Sequence, residues 1–145
     1  MSSDPSPRLH RFDLRFPTTA GTDILDMTPD LEARLAESGV TRGQLLVFVP
    51  GSTGAVTTIE YESGCLEDLR TALERVAPVD GEYAHNLRWD DGNGYSHLRA
   101  ALIGPSLTLP IEGGHLVHGT WQQVVLCDFD NRPRERSVLV DITGR

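Results

Sequence analysis

The sequence is poor in the features that mark the simplest functional classes. It has two cysteines, Cys65 and Cys127, 62 residues apart and in neither CxxC nor CxxH spacing. That excludes a cysteine-rich zinc module and points to free thiols in a reducing, cytoplasmic setting rather than a disulfide framework. No apolar run reaches the roughly 18 residues of a membrane span, and no basic start leads into an apolar secretion segment. Basic residues are in deficit: 13 Arg plus Lys against 21 Asp plus Glu give a net charge of −8 and a pI near 5.0. A clustered basic face for nucleic acid or for an anionic membrane is therefore not expected. A local positive pocket for a small phosphorylated molecule remains compatible with that balance. Internal repeats and low-complexity tracts are absent.

What is present is an ordinary globular composition, 39% hydrophobic and 23% charged, on 145 residues. That length suits one domain with a core of its own. The opening MSSDPSP reads as a flexible start over residues 1–7, leaving 8–145 as the domain.

Along that domain the hydrophobic period changes repeatedly. LHRFDLRF alternates, with Phe12, Leu14 and Phe16 on one face, which predicts a half-buried strand. Thr28-Pro29 is a helix start, Leu31 and Leu35 share a face, and Gly39 is a stop. QLLVFVP and AVTTIEYE read as strands, the first fully apolar and the second β-branched. Leu66, Leu69, Leu73 and Val76 recur at helical spacing from Cys65 onwards. Tyr83–Asn93 has no clear period, and Ser96–Ile103 reads as a short helix. The remainder reads as β: Leu107–Ile111, one long strand over His115–Asp130, and Glu135–Ile142. Two or three short helices among antiparallel-looking strands predict an α+β fold.

Several groups of residues carry chemical potential. In DDGNGYSH, glycines before a helix leave first-turn N–H groups convergent on one spot, which suits phosphate or carboxylate. Arg88 or Arg99 would add charge there, whereas Asp90 and Asp91 would repel an anion, and Asn-Gly before a helix is also ordinary turn chemistry. His85 and His97 flank this loop. Two histidines fall short of the three or four ligands of zinc, so Glu60 is the candidate third ligand or general base. The alternative is that the histidines only fix the loop. Ser52 and Thr53 offer hydroxyl and amide donors, but the loop is not GxSxG and has no legible His–Asp partner. His115 and His118 fall on opposite faces of the predicted strand, so both read as structural or surface residues. Trp121 reads as core or interface, with Gln122 pointing the other way.

The stretch HNLRWDDGNGYSHLRAALIGPSLTLPIEGGHLVHGTWQQVVLCDFDNRPRERSVLV resembles the C-terminal half of the YjbQ-like proteins, also called secondary thiamine-phosphate synthases. The resemblance is carried by His85, the Asn-Gly loop, His97-Leu98, Gly-Pro-Ser ending at Ser106, and Gly-Thr-Trp-Gln with Thr120 and Gln122. TTAGTDILDMTPDL and STGAVTTIE extend it to residues 8–142. It implies a strongly bent antiparallel sheet, a homotrimer, and a polar pocket between subunits built around histidines. By matching position it implies His97 as leaving-group donor or metal ligand, His85 as its partner, and Glu60 as base or third ligand. Asn93, Gly94, Ser52, Thr53 and Gln122 would hold an anion, with zinc or magnesium as the implied metal. The implied activity is weak thiamine-phosphate formation from a pyrimidine diphosphate and a thiazole phosphate, with pyrophosphate leaving. The chain departs from the family pattern at Gly51, where a histidine is usual, and at Ile59, where an asparagine is common. A lost ligand at 51 would weaken metal binding, and the alternative is a non-catalytic trimer that binds a metabolite or metal.

Overall fold

The structure, a computed structural model, describes residues 6–145. The first five residues of the expected flexible start lie outside the described residues. The alternating segment forms β1 (Arg8–Pro17), with Phe12, Leu14 and Phe16 half-buried between exposed charged neighbours. A short β2 (Asp23–Asp26) leads into α1 (Thr28–Ser38). There Asp26 Oδ1 accepts from the Thr28 N–H at 2.9 Å, and Gly39, at φ 72°, closes the helix in the left-handed conformation. Leu31 and Leu35 are its buried face, as their spacing predicts.

After β3 (Arg42–Phe48) and β4 (Gly54–Ile59) comes α2 (Ser63–Val76). Its start is capped by Glu62, which accepts from the N–H groups of Gly64 and Cys65 at 2.7 and 2.8 Å. Those two bonds hold the Glu62 carboxyl below its ordinary pKa. α3 (Ala84–Trp89) and α4 (Gly94–Ile103) follow, then β5 (Ser106–Glu112), β6 (His115–Leu116), β7 (Gln123–Asp128) and β8 (Glu135–Gly144).

All strand pairs are antiparallel. They run β1-β8-β3-β5-β6 and β2-β7-β4. Val49 N–H to Pro105 O at 2.9 Å extends the β3–β5 pairing, and Val56 N–H to Gly104 O at 3.0 Å ties β4 of the second section to the start of β5 in the first. The result is the expected single α+β domain with a curled antiparallel sheet. Four helices are described instead of two or three, because the patternless Tyr83–Asn93 segment contains α3. That helix has no buried residue, so it leaves no hydrophobic period to read.

The predicted strand over His115–Asp130 is broken between Leu116 and Gln123. Gln122 Oε1 accepts from the Gly119 N–H at 3.0 Å, folding 119–122 into a turn and putting Trp121, 73% exposed, outside the core. His115 stays in β6, 3.4 Å from Glu32, while His118 lies in the connection with Nδ1 2.9 Å from Gly119 O.

Two apolar clusters hold the fold. One sets α1 against β3, β5 and β8; the other sets α2 and α4 against the face formed by Ile24, Ala55, Val125 and Cys127. β7 serves both, with Val124 and Leu126 in the first and Val125 and Cys127 in the second. A strand buried on both faces reads as a continuous apolar run, VVLC, rather than as alternation. Both cysteines are free, and burial pushes the Cys127 thiol up to about 12. No helix among the described residues is long and apolar enough to cross a membrane.

Candidate functional site

Where β7 leaves the core, its sequence turns from apolar to CDFDNRPRER. Asp128 and Asp130 are fully buried, and the returning strand answers them with arginines. Arg136 Nε donates to Asp128 Oδ2 at 3.1 Å and Nη2 to Asp128 Oδ1 at 2.9 Å, while Nη2 also donates to Thr53 Oγ1. Arg134 Nε donates to Asp130 Oδ2 at 2.6 Å, and that oxygen also accepts from Thr53 Oγ1 at 3.2 Å. Burial alone would raise the Asp130 pKa. The bonds from Arg134 and from the Asn131 N–H outweigh it and leave the carboxyl below its ordinary value. The chain has no lysine, so each of these partners is a planar guanidinium fork suited to two-point pairing.

This ladder forms one wall of a cleft of about 440 Å³. Arg132, Arg134 and Arg136 line it, with Pro50, Gly51, Ser52 and Thr53 on the approach to β4. The opposite wall is the joint between α3 and α4, which brings His85, Trp89, Asp91, Asn93 and His97 to the same space. The two imidazole centres are 4.4 Å apart and tilted at 44°. His85 Nδ1 is buried and 3.3 Å from Asp91 Oδ1, yet its direction does not meet hydrogen-bond geometry. The Asn93 amide, turned as its neighbours require, donates to both Asp91 oxygens at 3.0 and 3.2 Å. A more apolar recess of about 280 Å³, lined by Gly54, Ala100, Ala101 and Pro105, opens from the cleft past Gly51, Ser52 and His97. A hollow of similar size to the cleft, about 460 Å³ between Arg42 and Arg145, contains no side chain that the sequence singled out.

The joint is held tightly. Gly94 N–H donates to Asn86 Oδ1 at 2.9 Å, and a Cβ at 94 would meet Tyr83 Cβ at 2.6 Å. Only glycine fits. The Gly94 amide, expected to face an anion, is therefore engaged by Asn86, and the Thr53 hydroxyl is engaged by Asp130 and Arg136.

Of the residues singled out by sequence, His85, Asn93, His97, Ser52 and Thr53 line this cleft, and Gly94 sits at its edge in the joint. Glu60 and Gln122 do not. Glu60 follows Ile59 at the far end of β4, about 20 Å along the strand from Gly54 at 3.3 Å per residue. The register Ile59↔Gln123 puts Gln122 at that same end, where its Nε2 donates to Thr58 Oγ1 at 3.0 Å. Among the described residues no group of three or more His, Cys, Asp or Glu side chains could hold a metal ion. The donors of one chain therefore do not make up a zinc site of three or four protein ligands. Sequence reasoning missed Asp128, Asp130, Arg134 and Arg136; the signal was the DxD…RxR alternation around a Pro-containing turn.

The comparisons with known proteins agree with this architecture. The profile of the UPF0047 protein YjbQ-like family matches residues 12–145. This chain belongs to the YjbQ-like family. It is 38% identical over 128 residues to a UPF0047 protein of Methanothermobacter thermautotrophicus, covering 88% of this chain and 87% of that one. It is 30% identical over 132 residues to the UPF0047 protein YugU of Bacillus subtilis, covering 90% and 97%. Among solved structures, a YbjQ-like protein of unknown function from Sulfolobus solfataricus superposes with a TM-score of 0.92 at 31% identity, over 97% of this chain and 100% of that one. A YjbQ/UPF0047 protein from Clostridium acetobutylicum gives 0.83 at 33% identity, over 90% and 98%.

Proposed function

We propose that the cleft binds a small phosphorylated molecule and that His97, partnered by His85, hands a proton to a phosphate or pyrophosphate leaving group. The observation that carries this reading is the facing of two imidazoles, 4.4 Å apart, by three arginines across one open cleft. Preorganised donors aimed at developing negative charge are the main resource of phosphate-leaving chemistry, which asks little covalent help from the protein. The apolar recess beside His97 suits a ring attached to the phosphate.

The matching reaction is thiamine-phosphate formation. The thiazole nitrogen forms a C–N bond to the pyrimidine methylene, the methylene C–O bond breaks, and pyrophosphate departs carrying both electrons. Arginines take its charge and His97 supplies a proton.

We also propose that the site is completed by a second copy of the chain in a homotrimer. Glu60 and Gln122 lie at the opposite end of β4 from the histidines, and apolar side chains stand exposed at both ends: Leu87 at 90% and Trp89 at 66% on α3, and Trp121 at 73% near Gln122. Large apolar side chains left this exposed are the material of contact surfaces.

The test is a metal-free assay of the purified protein with pyrimidine diphosphate and thiazole phosphate, alongside pyrophosphate titration calorimetry and sedimentation. Turnover that His97→Ala abolishes, in a protein that still sediments as a trimer, is the expected result. Saturable binding without product would leave a binding module, and no binding of pyrophosphate would overturn the phosphate reading.

A further inference from the structure

We infer that the direct anion contact of this cleft is Arg136 Nη1, and that Gly51 is the residue that leaves it uncovered. This inference rests on the phosphate reading above and names the group that carries it.

Arg136 has a side chain only 8% exposed, and its Nε and Nη2 are both used internally on Asp128 and Thr53. Its remaining nitrogen, Nη1, has no hydrogen-bond partner among the described residues and is not among the sealed-off polar atoms. A side chain at position 51 would begin 2.8 Å from that nitrogen. Gly51 therefore exposes to the cleft a donor that any larger residue would cover or displace.

The geometry suits an oxoanion in two respects. Asp128 fixes the guanidinium plane from behind, so Nη1 is already oriented and little side-chain freedom is lost on binding. Asp128 also offsets the formal charge of Arg136, and further positive charge comes from Arg132, which makes no ion pair among the described residues and lines the same cleft. The Asp91 carboxylate on the opposite wall accepts from the Asn93 amide and stands 3.3 Å from His85 Nδ1. A directed N–H backed by a nearby free cation fits the terminal phosphate of a monoester or diphosphate, bound without an intervening metal. Position 51 is thus a specificity determinant: glycine gives a guanidinium-lined oxoanion seat, and a side chain closes it.

The experiment is titration calorimetry of the full-length wild type and Gly51→Ala with inorganic pyrophosphate, at fixed ionic strength and without divalent metal. The expected result is saturable binding by the wild type and a loss of about tenfold to a hundredfold in Gly51→Ala, the range of a charge-assisted hydrogen bond. Because a Cβ at 51 presses on a buried ion pair, the variant is first checked for native fold by circular dichroism. A tungstate soak of wild-type crystals supplies a measurement independent of it. Tungstate within hydrogen-bond reach of Arg136 Nη1 supports the inference. Tungstate bound only elsewhere in the cleft, or equal affinity in the two proteins, overturns the inference and leaves the phosphate reading intact. Absence of pyrophosphate binding by the wild type overturns both.

Discussion

Arg136 grips Asp128 through two parallel bonds, at 3.1 and 2.9 Å, with the carboxylate fully buried and the guanidinium nearly so. The pair sits where the most buried strand of the molecule meets the cleft, so it belongs to the core and to the site at once. Buried pairs of this kind add modest net stability when intact but are costly to break, because the remaining charge is left in a low-dielectric setting.

Asp128→Ala strands that guanidinium beside Thr53. The expected loss is about 3–5 kcal/mol in unfolding free energy, measured by urea denaturation, with weaker pyrophosphate binding in whatever fraction stays folded. A change of under about 1 kcal/mol would mean that solvent or a neighbour repairs the site.

Asp130 sets an acid limit on stability. Its pKa in the folded protein lies below the ordinary 3.8, so its stabilising contribution is complete above that value and is lost as pH falls from there through the folded pKa. In that window the unfolded chain takes up a proton that the native carboxylate, held by Arg134, refuses. Asp141, lowered by its bond from Arg11, acts in the same direction. Urea midpoints should fall with pH below about 4, and Asp130→Asn should be less stable near neutrality with a shallower acid limb. Parallel limbs for the two proteins would contradict this assignment.

Gly94→Ala should disturb the α3–α4 joint, because its Cβ would meet Tyr83 Cβ at 2.6 Å and Asn86 Oδ1 at 2.9 Å. Overpacking of this sort costs about 1–3 kcal/mol. The spacing of His85 and His97 should change with it, so thermal melting and ligand binding should decline together.

The two thiols should separate by reactivity. Cys127 is fully buried with its thiol pushed up to about 12, whereas Cys65 is half-buried near the start of α2. One equivalent of thiol should react with a disulfide reagent in the native protein and two in denaturant. Two fast equivalents in the native state would show that β7 opens readily.

The sequence made some elements legible because burial imposed a period on them. β1 alternates since one face meets the core, and α1 announces itself through Pro29, Leu31, Leu35 and Gly39. α3 was hidden because nothing in it is buried, and the break before β7 was hidden because a glutamine-made turn lies inside an otherwise strand-like run. Within the candidate site, the two histidines were visible as a pair around a glycine loop. Their arginine partners were not, since DxD and RxR on either side of a turn look like solvated charge until the hairpin closes them together. Glu60 resembles the histidines in ligand chemistry, but the length of β4 separates them within one chain.

The sharing of β7 between two apolar clusters also governs how the molecule can fail. Its residues alternate between the clusters, so loosening either one unseats side chains on the same strand that anchor the other. Neither half has an independent route to disorder, and unfolding should be a single cooperative event. The aspartates that shape the cleft lie at and just beyond the end of that strand. Heat or denaturant should therefore leave the cleft near full integrity until the whole domain is lost.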